Sequence, residues 1–431
     1  MGRKDEPVKI LIKNGRVLDP ASQTDGILDL LIEDERITQV APEIACEADR
    51  VVDAEGCWVM PGLIDIHVHL REPGFEHKET IKTGAMAAAK GGFTTICPMP
   101  NTKPVTDSPE MIRWVIEKAK AEAPINVLPV GAVTVGQMGE ELADIEGMAA
   151  AGAIGISEDG KSVMNAALYE KAMEKARDCG IVVMAHCEDK NLVGRGVMQK
   201  CEKATELGLE GISNAVEDVI VARDILLAKE TGARLHLCHC STADSVALTK
   251  FAKDQGLPVT AEVCPHHFTL TADDIKEDDG NYKMNPPLRG KADVQALKEG
   301  LRDDVMDVIS TDHAPHSAEE KNKSMKLALF GIVGSETSVA LTITEMVKTG
   351  YLTPLQMADK MSYQPAKVLG IDKGTLGEGK IADITIIDPN AEYAIDPEEF
   401  VSKGKNTPFG GKRVNGRVLM TICGGRVVYE Y

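Results

Sequence analysis

Two histidines separated by one residue stand at the end of an apolar run early in the chain. His67 and His69 lie in the segment PGLIDIHVHLREPG. In a β-strand, alternate side chains point to the same side, so both imidazoles can bind one ion. Such a pair is by itself more often structural than metal-binding. Its place at the end of the first strand of a predicted parallel sheet makes it a candidate metal site.

Further potential metal ligands follow later apolar runs in the same way. Asp159, His186, His239 and Asp312 each stand at the carboxyl end of such a run. With the histidine pair they offer four imidazoles and two carboxylates, a donor set that suits Zn²⁺ and also Mn²⁺ or Co²⁺. A carboxylate can bridge two ions that share a hydroxide. Asp159 is the predicted bridge, with the adjacent Glu158 as the alternative.

The elements that must position these residues are short apolar runs separated by helix-like segments. The strand-like runs are GLIDIHVHL, TTICPMPN, INVLPVGAVT, AIGISEDG, IVVMAHCED, RLHLCHCS, VTAEVCPHH and VISTDHAPH. The segments between them, such as AALYEKAMEKARDCG, end near Gly or Pro, as helices do. Repeated βα units predict an α/β protein with a (β/α)8 TIM-like barrel, in which active sites lie at the carboxyl ends of the strands. The pattern is also compatible with an open, doubly wound sheet.

Both ends of the chain consist of β-like runs without helical periodicity. Residues 8–60 include VKILIKNGRVLD and RVVDAEGCWVM, and the end of the chain includes GKIADITIID and GRVLMTICGGRVVYEY. These patterns predict a small β-sandwich domain built from both termini. The predicted boundaries are 1–60 and 369–431 for the β domain and 61–368 for the barrel.

Composition limits the class of protein. A length of 431 residues is enough for one large barrel and a smaller domain. A formal net charge of −19 argues against a nucleic-acid partner, because phosphate binding needs clustered Lys and Arg. The first residues lack the apolar region of a signal peptide, and no run reaches the roughly 18 apolar residues of a membrane span. The ten cysteines are scattered along the chain without the spacing of a disulfide framework, which indicates reduced thiols. We expect a cytoplasmic homo-oligomer with no membrane partner.

Taken in order, the motifs resemble those of the cyclic amidohydrolases and, more narrowly, the type I dihydroorotases. The resemblance covers nearly the whole chain. It is carried by PGLIDIHVHLREPG at 61–74, PMPNT at 98–102, EDGKSV at 158–163, HCED at 186–189, CHCST at 238–242, CPHH at 264–267, MNPPLR at 284–289 and STDHAPH at 310–316. Many relatives bridge their metals with a carbamylated lysine, whereas Asp159 stands at the corresponding strand end here, as in the type I branch.

The resemblance implies a set of ligands and a set of substrate contacts. Two zinc ions are implied, the first on His67, His69 and Asp312, the second on His186 and His239, with Asp159 between them. The implied substrate contacts are Arg71, Asn101, Asn285 and His316. The segment 317–334 follows the last ligand and is either a cover over the site or a solvated loop. Within it, Phe330 and Gly331 are expected to contact the substrate through their backbone. Residues 102–109 are a second candidate cover.

The implied reaction is the reversible closure of N-carbamoyl-L-aspartate to L-dihydroorotate plus water, a step of pyrimidine biosynthesis. A metal-bridging hydroxide would react, with Asp312 as general acid and base. The substrate is anionic, and Arg71 can bind a carboxylate through two parallel hydrogen bonds. An allantoinase or hydantoinase, the closest alternative, has an uncharged substrate that would leave this guanidinium unpaired.

A second alternative is an inactive homologue that serves as a scaffold for aspartate transcarbamoylase. Loss of metal ligands would mark such a protein, and every implied ligand is present in this sequence. The same transferase is also an expected partner of an active enzyme of this type.

Overall fold

The computed structural model describes residues 8–431. Five strands form between residues 8 and 61, in agreement with the alternating pattern of this part of the chain. They are β1 (Lys9–Asp19), β2 (Thr24–Glu33), β3 (Arg36–Ala41), β4 (Arg50–Asp53) and β5 (Trp58–Pro61). β2 pairs antiparallel with β1 and β3, whereas β4 and β5 pair parallel with β1.

The middle of the chain contains short parallel strands. They are β6 (Leu63–Val68), β7 (Phe93–Pro98), β8 (Asn126–Val127), β9 (Val130–Ala132), β10 (Gly155–Ser157), β11 (Val182–Ala185), β12 (Met198–Gln199), β13 (Gly211–Ile212), β14 (Leu235–Leu237), β15 (Val259–Val263) and β16 (Val308–Ile309). β6 to β8 form one sheet, and β9, β10, β11, β14, β15 and β16 form another, each strand beside its successor in the sheet. β12 and β13 pair separately. A parallel bridge joins Val68 with His313, just after β16, so the first and last of these strands are neighbours.

One predicted strand is interrupted. The run INVLPVGAVT forms two short strands, β8 and β9, with Leu128 and Pro129 between them. Proline has no backbone N–H to donate to a neighbouring strand. The carbonyl of Pro129 still accepts a hydrogen bond of 3.0 Å from the backbone N–H of Ile154. The prediction of one continuous strand was therefore wrong at the proline, although strands form on both sides of it.

Helices connect the parallel strands. They are α1 (Ile81–Lys90), α2 (Pro109–Glu122), α3 (Ile145–Ala151), α4 (Ala166–Cys179), α5 (Glu202–Glu206), α6 (Ala215–Thr231), α7 (Ala243–Asp254), α8 (Pro265–Thr269), α9 (Lys291–Arg302), α10 (Ala318–Lys321), α11 (Ser338–Thr342), α12 (Pro354–Ala358) and α13 (Gln364–Leu369). Residue types at their ends explain their limits: the Ser108 side chain caps α2, and α4 stops at Gly180 in the left-handed conformation, as capping preferences predict. The apolar face of α4, with Ala172 and Met173, lies in the largest core cluster.

Three strands complete the chain and return to its beginning. They are β17 (Ile384–Ala394), β18 (Arg413–Cys423) and β19 (Arg426–Glu430). β5 lies between β1 and β17, so one eight-stranded sheet combines both termini. Its own apolar core includes Ile12, Leu30 and Ile384. This confirms the predicted common sheet. No helix within residues 8–431 has the length and apolar character to cross a membrane.

Candidate metal centre and substrate pocket

Four imidazoles surround the carboxylate of Asp159 at the carboxyl ends of the parallel strands. The Nε2 atom of His67 lies 3.2 Å from Oδ1 of Asp159, and the Nε2 atom of His69 lies 3.4 Å from Oδ2. On the other side, Nδ1 of His186 and Nε2 of His239 lie 3.6 and 3.8 Å from Oδ1. The structure therefore brings imidazoles from the ends of β6, β11 and β14 around the carboxylate that follows β10.

Asp312 closes one side of this group. Its Oδ1 atom lies 3.0 Å from Nε2 of His69 and 3.5 Å from Nε2 of His67. Asp312 and His239 have positive φ angles, 49° and 34°, as does Arg71 at 62°. Residues other than glycine rarely adopt this left-handed region, and such residues cluster at active sites. The backbone therefore turns sharply where it delivers these three side chains.

Glu262 on β15 orients the most deeply buried imidazole. Its Oε1 atom lies 2.7 Å from Nδ1 of His67 and accepts the backbone N–H of His239 at 3.0 Å, while Oε2 lies 3.0 Å from Nε2 of His236. Burial opposes ionisation of Glu262, but the neighbouring histidines hold its pKa well below the usual range. The ionised carboxylate can only accept, so the Nδ1 atom of His67 donates to it and Nε2 is the ring nitrogen that faces Asp159.

Two further imidazoles are oriented in the same way. Nδ1 of His69 lies 2.9 Å from the side-chain oxygen of Asn101. Nε2 of His186 lies 2.7 Å from Glu188, which also accepts a hydrogen bond of 2.5 Å from the amide of Asn285. An oxygen acceptor on one ring nitrogen leaves the other nitrogen free to bind a metal. Two predicted substrate contacts thus also help to orient the imidazoles, Asn101 directly and Asn285 through Glu188.

The chemistry of this group fits divalent metal ions. His67, His69 and Asp312 form one cluster with convergent ligand atoms, and His67, Asp159 and His239 form another. Within residues 8–431, Nε2 of His67, Oδ1 of Asp159 and Nδ1 of His239 are buried without a well-aligned hydrogen bond, which is costly for polar atoms. Burial favours the neutral form of His67, yet the surrounding carboxylates raise its pKa well above the usual value. The site therefore attracts positive charge.

A cavity of about 170 Å³ opens above this group. Every predicted site residue except His67 lines it, and His67 is fully buried. Gly160 and Ala314 also line the cavity, although the sequence did not single them out. The predicted residues are thus brought to one place, at the end of the strands where the sequence places them.

Arg71 and His316 form the cationic side of the cavity. Nη2 of Arg71 lies 3.3 Å from Nε2 of His316, and Nε donates to the carbonyl of Pro315 at 3.1 Å. Burial lowers the pKa of Arg71 to about 10, so the guanidinium stays charged at neutral pH. Among the salt bridges of residues 8–431, none involves Arg71. A free guanidinium facing a cavity is suited to bind an anionic group.

The protonation of His316 follows from its neighbours. Burial, together with the charges of Arg71 and Lys78, lowers its pKa to about 2. The ring is therefore neutral, with Nδ1 3.4 Å from the ammonium of Lys78 and Nε2 2.8 Å from the carbonyl of Phe330. Nδ1 accepts from the ammonium, and Nε2–H donates to the carbonyl. The backbone carbonyl of Phe330, predicted to contact the substrate, thus binds His316.

Glu158, the alternative bridge, and the nearby Lys161 bind elsewhere than in the ligand group, the term used here for His67, His69, Asp159, His186, His239 and Asp312. The carboxylate of Glu158 accepts hydrogen bonds from the backbone and hydroxyl of Thr134, and Lys161 donates to the carbonyl of Gln137 at 2.9 Å. Sequence reasoning missed Glu262, although a charged residue inside the apolar run VTAEVC is itself a signal. It also missed the contacts of Glu188, directly after the HC pair at 186–187, and of Lys78, which nothing in the sequence marks.

Comparison with solved structures gives the class of protein. The fold is similar to that of L-hydantoinase (dihydropyrimidinase) from Arthrobacter aurescens, with a TM-score of 0.88 and 28% identity over 98% of this chain and 96% of that chain. D-hydantoinase (dihydropyrimidinase) from Thermus sp. gives a TM-score of 0.84 at 26% identity, over 98% and 96% of the two chains. Fold and site together define a cyclic amidohydrolase.

Sequence comparison narrows the class. A model of the dihydro-orotase-like family matches residues 56–245. A dihydroorotase from Pelotomaculum thermopropionicum is 52% identical over 98% of this chain and 99% of its own length. A dihydroorotase from Acetivibrio thermocellus is 48% identical over 97% and 98% of the two chains. The chain belongs to the dihydroorotase family.

Proposed function

We propose that this protein catalyses the reversible cyclisation of N-carbamoyl-L-aspartate to L-dihydroorotate plus water. The observation that carries the proposal is the free guanidinium of Arg71, which faces the same cavity as the ligand group around Asp159. A carboxylate-bearing ring can pair with the guanidinium while its amide lies over the ligand group. The curated relatives named dihydroorotase, 48–52% identical over nearly the full length, support the same reaction.

The ligand group would hold two divalent ions, and zinc suits its imidazole and carboxylate donors. One ion would bind to His67, His69 and Asp312, the other to His186 and His239, with Asp159 bridging them. Four carboxylates, those of Asp159, Asp312, Glu188 and Glu262, contact these imidazoles. Two divalent cations balance that charge. When bound, such ions lower the pKa of a water molecule and polarise a carbonyl.

Proton transfer during the reaction would fall to Asp312. Its carboxylate lines the cavity beside His69, where it can reach both a water molecule and the ring of a bound substrate. In the direction of ring opening, water adds to the amide carbonyl and the carbon–nitrogen bond breaks. Asp312 accepts the proton of the water and gives it to the leaving nitrogen, so the group ends as it began.

The substrate contacts follow from the cavity walls. Arg71 would bind the ring carboxylate, with His316 beside it and Asn101 on the adjacent wall. Asn285 and the backbone at 330–331 line the same cavity. An uncharged hydantoin or allantoin would leave the buried guanidinium without an anionic partner, which costs binding energy. This favours dihydroorotate over the substrates named for the structural neighbours.

Three features of organisation belong to the same proposal. The sequential strand order and the bridge between Val68 and His313 support a closed (β/α)8 barrel over 61–368. The common sheet of β1–β5 and β17–β19 would form the predicted β-sandwich over its own core. A cytoplasmic homo-oligomer, with aspartate transcarbamoylase as a partner, agrees with this enzyme type.

Metal analysis combined with activity assays tests the proposal. Purified protein would be assayed on dihydroorotate, N-carbamoyl-L-aspartate, hydantoin and allantoin, with the metal content of the same sample measured. We expect turnover of the first two compounds and about two equivalents of zinc. Preference for hydantoin or allantoin would contradict the substrate assignment, and metal-replete protein without any turnover would favour the scaffold alternative.

A further inference from the structure

Two buried lysines lie behind the wall of the cavity formed by Phe330 and Gly331. Lys321, at the end of α10, is 1% exposed, and Lys283 is 5% exposed. Within residues 8–431, neither ammonium takes part in a salt bridge. Burial, together with the charge of Lys283, lowers the pKa of Lys321 to about 7. The fold therefore holds positive charge here against an electrostatic cost.

The ammonium of Lys321 joins two segments of the cavity wall. It donates to the carbonyls of Lys283 at 3.0 Å, Leu329 at 2.8 Å and Gly331 at 2.8 Å. These contacts match the three donors of an ammonium group. The first carbonyl belongs to 283–285, which carries Asn285, and the other two belong to 329–331. One side chain thus fixes the distance between both parts of the wall.

Lys283 ties the same segment from the other side. Its ammonium donates to the carbonyl of Ala328 at 2.7 Å and lies 4.3 Å from the centre of the Phe330 ring, a cation–π contact. Its backbone carbonyl accepts from the N–H of Gly331 at 3.0 Å. The carbonyl of Phe330, held in this way, accepts the Nε2–H of His316. The position of the wall therefore determines the position of the His316 imidazole beside Arg71.

Close packing makes this wall sensitive to displacement. Gly331 has a φ of +128°, and a Cβ atom at this position would lie 2.6 Å from Cβ of Ala314. The backbone at 331 therefore lies directly against the segment that leads to His316. A shift of the wall cannot be absorbed by empty space, so it has to move His316 or open the cavity.

We propose that Lys321 and Lys283, termed here the lysine clamp, are positioning residues for substrate binding. The lysine clamp holds 283–285 and 328–331 in register and so places Asn285 and His316 around the substrate. The positive charge of Lys283, joined by that of Lys321 when it is protonated, also adds to that of Arg71 and attracts an anionic substrate to a chain with a net charge of −19. The inference rests on the proposed function for the identity of the substrate.

The test compares Lys321→Met with Lys360→Met in the metal-loaded full-length enzyme. Methionine keeps the length of the side chain and removes its charge. Lys360 is the matched control, because it is also 1% exposed and its ammonium donates to the carbonyl of Met306 and to Asp304. These partners precede β16, at the opposite ends of the strands from the cavity.

We expect Lys321→Met to raise KM for both dihydroorotate and N-carbamoyl-L-aspartate roughly tenfold with kcat within about twofold, because loss of a contact used equally in the ground and transition states raises KM alone. Metal content should stay unchanged. Amide hydrogen exchange at 328–332 should become faster in this variant. Lys360→Met should change neither KM nor exchange at 328–332.

Several outcomes would overturn the inference. One is a Lys321→Met enzyme with the KM of the parent; another is an equal rise of KM in Lys360→Met, which would indicate general destabilisation. If Lys321→Met does not fold, Lys283→Met is tested instead. A Lys283→Met enzyme with the KM of the parent would overturn the inference. If the parent protein turns over neither substrate, the proposed function fails, while the exchange comparison still tests the structural part of the inference.

Discussion

His67 donates its Nδ1 proton to Oε1 of Glu262 across 2.7 Å, and this hydrogen bond turns Nε2 of the same ring toward Asp159. Glu262 is fully buried and stands 195 positions away in the chain. A carboxylate on the outer nitrogen fixes both the tautomer and the orientation of a metal-binding imidazole. Glu262 should therefore control metal affinity although it does not face the cavity.

Replacement of Glu262 by leucine should lower metal affinity roughly 10- to 100-fold, the range found for residues that orient metal-binding histidines. Glu262→Gln keeps an oxygen acceptor and should lose less. Competitive titration with a chromophoric chelator measures the effect. His236→Leu is the matched control, because His236 contacts the same carboxylate but lies outside the ligand group. An equal loss of metal in the control would mean that packing, and not orientation of His67, is responsible.

Arg71→Met should weaken the binding of dihydroorotate by about 2–3 kcal/mol, the usual contribution of hydrogen bonds to a charged group, which is roughly 30- to 150-fold in KM. Arg71→Lys keeps the charge without the planar pair of donors, so its KM should lie between those of the parent and of Arg71→Met. Steady-state kinetics on dihydroorotate provide the measurement. If Arg71→Met bound dihydroorotate as the parent does, the carboxylate would have to bind elsewhere in the cavity.

The common location of the proposed metal ligands was predictable because the chain repeats one unit. In each βα unit the apolar run ends in a polar residue, and parallel strands bring these ends to one face. His67 and Asp312 are far apart in sequence, yet both end such a run. The helix limits were predictable for the same local reason, since caps such as Ser108 and Gly180 are properties of neighbouring residues.

Residues that act through distant contacts were not predictable in this way. Glu262 looks like an isolated charge in a strand until His67 is placed against it. Lys321 lies among exposed charges in the segment SAEEKNKSMK, and only the folded chain shows that its ammonium is enclosed by carbonyls. Burial of a charge depends on what the rest of the fold places around it, and no local pattern contains that information.

Asp312→Asn should reduce kcat by at least about 100-fold in both directions, the lower limit for loss of a general acid–base group. The amide keeps the size of the side chain and an oxygen that can face His69, so most of the bound metal should remain. Assays of ring closure and ring opening, with metal analysis of the same preparation, provide the check. Turnover close to that of the parent, with metal retained, would assign proton transfer to another group.

Removal of metal should destabilise the folded protein. Without cations, His67, Asp159 and His239 retain buried polar atoms that no residue in 8–431 hydrogen-bonds in good geometry. Bound metal would stabilise the fold by about 2.7 kcal/mol at a free concentration of 100 times Kd. Thermal unfolding measured with and without a strong chelator should show a lower Tm for the metal-free form and recovery on addition of Zn²⁺. A double variant, His67→Asn with His69→Asn, serves as the control, because its Tm should respond much less to the chelator. An unchanged Tm in the parent protein after demonstrated loss of metal would show that the ligand group is stable without a cation, and the charge argument for two divalent ions would then fail.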